Sequence, residues 1–168
     1  LTGSLTFYQA DVKIENLAFK NTSTEDALNL IDSDFIINGM EISSTTSDAI
    51  DFDFSEGIVT KVLLSDIGGD GLDFSGSIVH VSDVNGFNVR DKLLSVGEAS
   101  SISGEGISGT NVGVGVAVKD GSKAELASLS FQNVTFSPLM AYQKKYFYGP
   151  STIEVTNSPT IDYSAVIN

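Results

Sequence analysis

The sequence predicts an all-β chain: a right-handed, single-stranded parallel β-helix of about six to seven coils, roughly 21–23 residues each. Three observations predict it. A five-residue pattern recurs at fixed spacing. Short, alternating apolar runs fill the interval between recurrences. No segment carries a sustained helical apolar period.

The pattern starts as Asp26-Ala27-Leu28-Asn29-Leu30. It returns as Asp48-Ala49-Ile50-Asp51-Phe52 and again as Asp70-Gly71-Leu72-Asp73-Phe74, each step being 22 residues. A weaker copy starts at Asp91, a step of 21, with Leu93 in the place of Leu72. Val114 and Val116 continue the apolar pair, and Leu5 and Phe7 precede Leu28 and Leu30 by 23. Within each coil the runs are short and β-branched. Phe35-Ile36-Ile37 and Met40-Glu41-Ile42 follow the first copy. Ile58-Val59 and Val62-Leu63-Leu64 follow the second. Ile78-Val79-His80-Val81 and Val84 follow the third. Such runs, separated by Gly, Ser, Asp and Asn, read as three strands per coil joined by turns. One coil cannot bury its apolar face alone, and stacking makes a continuous core of Leu28 on Ile50 on Leu72 and Leu30 on Phe52 on Phe74.

The chain reads as one domain over residues 1–168, with coils over about 3–136. Residues 142–150 break the period and read as an irregular loop. A strand and cap follow over 151–168, with Tyr163 and Val166 closing the core. Gly104, Gly106, Gly109, Gly113 and Gly115 read as turns between thin coils. Tyr142, Tyr146, Phe147 and Tyr148 read as aromatics packed over the end of the solenoid.

Composition narrows the function. Of 168 residues, 22 are Asp or Glu and 9 are Lys or Arg, for a formal net charge of −13. That charge disfavours nucleic acid and anionic lipid as partners. No apolar run reaches the roughly 20 residues of a membrane-spanning helix. Cysteine is absent and histidine single, which excludes disulfides, thiolate metal sites and a multi-histidine zinc site. The first residue is Leu1, so the sequence reads as an excerpt or a mature fragment.

Alternation along the first strand of each coil puts Ile50, Phe52 and Phe54 inside and Asp51 and Asp53 outside. Asp73 then stacks on Asp51, with Asn29 below. Asp26, Asp48, Asp70 and Asp91 form a second column at the preceding turn. Stacked carboxylates repel unless a cation, a shared proton or a base relieves them. Calcium, with its flexible shell of oxygen ligands, suits Asp48, Asp51, Asp70 and Asp73. The corner aspartates equally suit repeated turn chemistry, accepting backbone N–H groups. Lys92 stands one step along the stack from Gly71, with Arg90 nearby. It is placed either as a general base or as the ion-pair partner of Asp70 or Asp73. His80 is predicted to face solvent without a catalytic partner.

The coil pattern resembles the pectate-lyase-like β-helix superfamily over about Gly3 to Asn157. Ser47-Asp48-Ala49-Ile50-Asp51, Gly69-Asp70-Gly71-Leu72-Asp73, Gly115–Asp120 and Ala141–Lys145 are similar to β-helical regions of large secreted bacterial proteins. Some of these carry a spore-coat-protein-H-like domain. That resemblance implies an extracellular binding or structural module, directed at a polysaccharide or at neighbouring domains of a larger protein. Asp70-Gly71-Leu72-Asp73 is also similar to the calcium segment of one pectate lyase family. This second resemblance implies the alternative, a calcium-dependent polysaccharide lyase with Lys92 as base. In that family a doubled aspartate stands where this chain has Gly69-Asp70.

Overall fold

Alternating apolar positions, interrupted by residues that tolerate a left-handed backbone, dictate a chain that runs straight, bends, and returns over itself. The computed structural model describes residues 3–157. They form eleven strands: β1 (Gly3–Tyr8), β2 (Asp11–Thr22), β3 (Asp26–Ile31), β4 (Asp34–Thr45), β5 (Asp48–Asp53), β6 (Glu56–Ile67), β7 (Leu72–Ser75), β8 (Ile78–Gly97), β9 (Ser101–Lys119), β10 (Lys123–Tyr142) and β11 (Thr152–Thr156). All paired strands are parallel, β1 on β3 on β5 on β7 and β2 on β4 on β6 on β8, continuing through β9 and β10 to β11. The predicted parallel β-helix is therefore present, as a solenoid of about six turns. No helix among the described residues is long and apolar enough to cross a membrane.

The first coils hold two strands rather than the three expected, because the second and third join, and in β8, β9 and β10 all three run together. The pairing of β2 with β4 runs to Glu15–Asn38, skips one residue and resumes at Leu17–Met40. It skips again between Lys20–Ser43 and Thr22–Thr45. The skipped residues have positive φ: Asn16 and Gly39 at the first bend, Asn21 and Ser44 at the second. Lys61, Asp83 and Gly106 continue the first column, and Asp66, Asn88 and Asn111 the second. A single left-handed residue thus turns the strand without ending its ladder. Asn and Asp suit this conformation, and their side chains bond along the second column. Asn88 donates to Asp66 at 2.8 Å, Asn111 to Asn88 at 3.0 Å and Asn133 to Asn111 at 3.1 Å.

The core is the stack predicted from the repeat. Leu28, Ile50 and Leu72 are in register and fully buried, as are Leu30, Phe52 and Phe74. The Phe52 and Phe74 rings lie parallel with centroids 5.0 Å apart, and Phe35 closes on Phe52 at 4.9 Å. The period needs one correction. Leu72 pairs with Leu94, not Leu93, and the step there is 22. Both leucines are fully buried, so burial alone did not separate them. Leu93 fills space beside Gly86 and Gly109, where a Cβ would come within 2.4 and 3.2 Å of its methyl groups.

A second column was not foreseen. Ser33, Ser55, Ser77, Ser100 and Ser122 are all buried at the corner between the two strands of a coil. Each hydroxyl accepts the backbone N–H of the serine, or of Ala10, one coil earlier, at 2.9–3.2 Å. Ser33, Ser55 and Ser100 also donate to carbonyls within their own turns, and Ser77 donates to Phe52 at 2.9 Å. The corner's N–H groups would otherwise be buried without a partner.

The loop after β10 lies where expected, and β11 returns to pair with Lys123–Ala127. Its aromatics differ from expectation. Tyr146 is 91% exposed and Phe147 67%, and they contact each other rather than the core. The loop's backbone is held elsewhere: Asp120 accepts the N–H groups of Lys144 and Lys145 at 2.7 and 2.6 Å. Lys145 also pairs with Glu98. The glycines of β9 are not turns either. Only Gly106 has positive φ, and the others lie inside the strand. The predicted cap with Tyr163 and Val166 lies outside the described residues.

Replacing Ser77 by Ala removes the acceptor 2.9 Å from the Ser55 N–H and leaves that group buried. The expected loss is about 1–3 kcal/mol in urea denaturation. An unchanged midpoint would show that the serine column adds nothing to stability.

Candidate metal centre

Strand alternation and parallel register together build the acidic face. The outward column reads Thr6, Asn29, Asp51, Asp73, Ser95 and Ala117 in successive coils. The corner column, three residues earlier, reads Asp26, Asp48 and Asp70 and ends at Lys92. The structure brings Asp48, Asp70 and Asp73 together: one carboxylate oxygen of each lies within 4.8 Å of the others. Asp51 stacks beneath Asp73 but stands outside that group of three.

The corner aspartates do perform the turn chemistry that their position allows. Asp48 accepts the Asp70 N–H at 2.7 Å, and Asp70 accepts the Lys92 N–H at 2.9 Å. Gly69 makes this approach feasible, since a Cβ there would fall 2.0 Å from the Asp48 carboxylate oxygen. Asp73 has no such partner: its Oδ1 is buried without a hydrogen bond. Asn29, only 2% exposed, donates to Asp51 at 3.2 Å, while its own Oδ1 is also buried without a partner. The face therefore has more oxygen acceptors than donors.

Burial and crowding decide the charge on this face. Asp51 is pushed up to about 8, first by burial and then by the charges of Asp53, Asp73, Asp26 and Asp48. Asp48 is raised to about 6 by burial, against the bond from Asp70. Asp53 and Asp70 are also raised, again chiefly by burial. These carboxylates hold protons at a pH where exposed ones have lost them, unless a cation takes the protons' place.

Lys92 replaces the aspartate of the corner column, above Asp70 rather than above Gly71. Its Nζ lies 3.2 Å from Asp70 Oδ1 and 2.6 Å from Asp91 Oδ2. Burial pulls its pKa down, but the hydrogen bond to Asp91 and the two carboxylate charges outweigh this, and the pKa is raised. A general base needs the opposite, so the geometry matches the ion-pair role. Sequence reasoning missed Lys119. Its Nζ donates to Ser95 at 2.7 Å and approaches Asp73 Oδ1 at 3.8 Å. The available signal was parity: Lys119 is two residues beyond Ala117, on the same face of the strand. His80 faces solvent as expected, but bonds Ser103 on the next coil at 3.0 Å.

Comparison with protein-family models, curated proteins and solved structures gives no match for this chain.

The raised carboxylates fix a pH dependence. A folded pKa above the unfolded value means that the native state binds the proton more tightly. The resulting stabilisation is complete below about pH 4 and is lost as pH rises through about 6 for Asp48 and about 8 for Asp51. With a chelator present, the melting temperature is expected to be higher at pH 5 than at pH 8.5. The reverse order in calorimetric scans would contradict this account of the acidic face.

Proposed function

We propose that this chain is a binding module of an extracellular protein, a β-helix that holds calcium on its acidic face. The ion is presented to a glycan or to a neighbouring domain of the same protein. The observation that supports this reading is the convergence of Asp48, Asp70 and Asp73 oxygens within 4.8 Å of one another. Three oxygens this close can share one calcium ion at about 2.3–2.6 Å each, in a shell whose geometry is flexible. Magnesium, at about 2.0–2.1 Å, demands a tighter octahedron. Asp73 Oδ1, buried without a hydrogen bond and with Lys119 no closer than 3.8 Å, is the atom that gains most from an ion. Water would complete the shell and be displaced by a partner's hydroxyl or carboxylate oxygen.

The β-elimination alternative needs a neutral amine beside the cation. The raised pKa of Lys92 supports the binding reading instead. The short connections between strands, which leave the acidic face without long walls, support it too.

Isothermal titration is expected to give heat with calcium and less with magnesium. Asp73→Asn should weaken calcium at least about tenfold, a little over 1.4 kcal/mol. Affinity electrophoresis through acidic and neutral polysaccharides then tests the partner, with retardation that disappears in chelator as the expected result. Absence of both calcium heat and a calcium-induced melting shift would overturn the metal centre. Chelator-insensitive migration in every gel would overturn the glycan.

A further inference from the structure

A groove on a different face is built by the first parts of β2, β4, β6 and β8 and the starts of β9 and β10. Its volume is about 840 Å³. Two outward columns define it. One reads Asp11, Asp34, Glu56, Ile78 and Ser101 in register, and the other Lys13, Ile36, Ile58, His80 and Ser103. The groove thus has a rail of three consecutive carboxylates that runs on into Ile78, and Ile36 and Ile58 beside it complete an aliphatic floor.

The floor is exposed. Ile36 is 51% accessible, Ile58 42% and Ile78 57%. A single exposed isoleucine needs no explanation, whereas a contiguous set marks a surface that makes contacts. The rail is unneutralised. Asp11, Asp34 and Glu56 are exposed, and none forms an ion pair among the described residues. Lys13, in the neighbouring column, is engaged with Glu15 at 3.0 Å. Carboxylates about 4.8 Å apart along the coils repel one another, and a cationic partner relieves all three at once. Anionic lipid and nucleic acid are repelled by the same rail.

Spacing selects the form of that partner. From Asp11 to Glu56 the rail advances two coils, about 9.6 Å. Side chains on one stripe of an α-helix advance about 5.4 Å per turn, or about 10.8 Å over two turns. Same-face residues of an extended peptide advance about 6.7 Å, or about 13.4 Å over two steps. A helix along the solenoid axis therefore misses by about 1 Å, which a lysine side chain absorbs, and a strand by about 4 Å. We propose that this groove receives an amphipathic basic helix of a partner protein. Its lysine or arginine stripe lies on Asp11, Asp34 and Glu56, and its apolar stripe on Ile36 and Ile58, with Ile78 meeting it at the end of the acidic column.

The test is fluorescence anisotropy with a labelled peptide of about 18 residues carrying a lysine stripe beside a leucine stripe at helical spacing. A scrambled peptide of equal composition serves as the comparison. The designed peptide is expected to bind and the scrambled one to bind at least about tenfold more weakly. Asp34→Asn with Glu56→Gln should weaken binding roughly fivefold, the effect of two exposed ion pairs. Ile36→Ser with Ile58→Ser should weaken it by at least as much. Glu41→Gln with Glu105→Gln removes the same charge elsewhere and should change affinity less than about twofold. Unchanged melting temperatures confirm that these surface variants fold. Equal binding of the scrambled peptide, equal loss in the Glu41/Glu105 variant, or no binding at all overturns the proposal.

Discussion

Parallel pairing along the solenoid axis sets every residue about 4.8 Å from its counterparts in the coils above and below. Whatever chemistry one coil has at a position is therefore multiplied along a column. Apolar side chains gain from this: Leu28, Ile50 and Leu72 share one dry stack. Amides and hydroxyls gain as well: each side-chain amide donates to its neighbour in the asparagine column, and each serine hydroxyl accepts a backbone N–H of the neighbouring coil. Carboxylates alone lose, since they accept and do not donate when ionised. The acidic face is the place where the geometry that builds the fold works against the charges it aligns.

The chain meets that conflict with several local devices. Asp48 and Asp70 turn their carboxylates to backbone N–H groups. Asn29 supplies amide hydrogens at the lower end. Lys92 and Lys119 supply positive charge at the upper end. Asp73 lies between these devices with an oxygen that none of them satisfies. Gly69 lets the cluster close, because the space of its missing side chain is occupied by the Asp48 carboxylate. The face is thus bounded at both ends, and its unmet demand is concentrated in the middle coils.

The fold was legible because its signal is repeated. The copies starting at Asp26, Asp48 and Asp70 report the same environment, and alternation within each assigns inside and outside as far as Asp53; Phe54, expected inside, has a positive φ just past the strand and is 65% exposed. The outward stacking of Asn29, Asp51 and Asp73 was legible for the same reason. The phase beyond Phe74 was not, since Leu93 and Leu94 are both buried, and with it went the placement of Lys92 above Asp70. The left-handed bends were hidden because Lys61 and Ser44 occupy positions beside Gly39 and Asn21 that glycine or asparagine would have marked. The serine column carried a readable period at Ser33, Ser55 and Ser77, but serine is so common in turns that its regularity was absorbed into turn chemistry. The joining of three acids at Asp48, Asp70 and Asp73 depends on side-chain direction, which spacing does not encode.

The serine column also resumes beyond the loop after β10, at Ser151, with the donor shifted from Ser122 to Gly121. Gly121 N–H donates to Ser151 Oγ at 3.1 Å, and β11 then pairs with Lys123–Ala127 as the next coil would. Residues 143–150 are thus surplus to the coil, held to its side by Asp120 and braced internally by Gln143. A solenoid of this kind tolerates a change of length in two ways: by a whole coil, which preserves every column, or by an excursion at this corner, which leaves all columns in phase. An insertion of one or two residues inside a strand would instead move each later side chain to the opposite face or out of its stack. The corner after Tyr142 is thereby a natural port for new sequence, and the one that this chain has used.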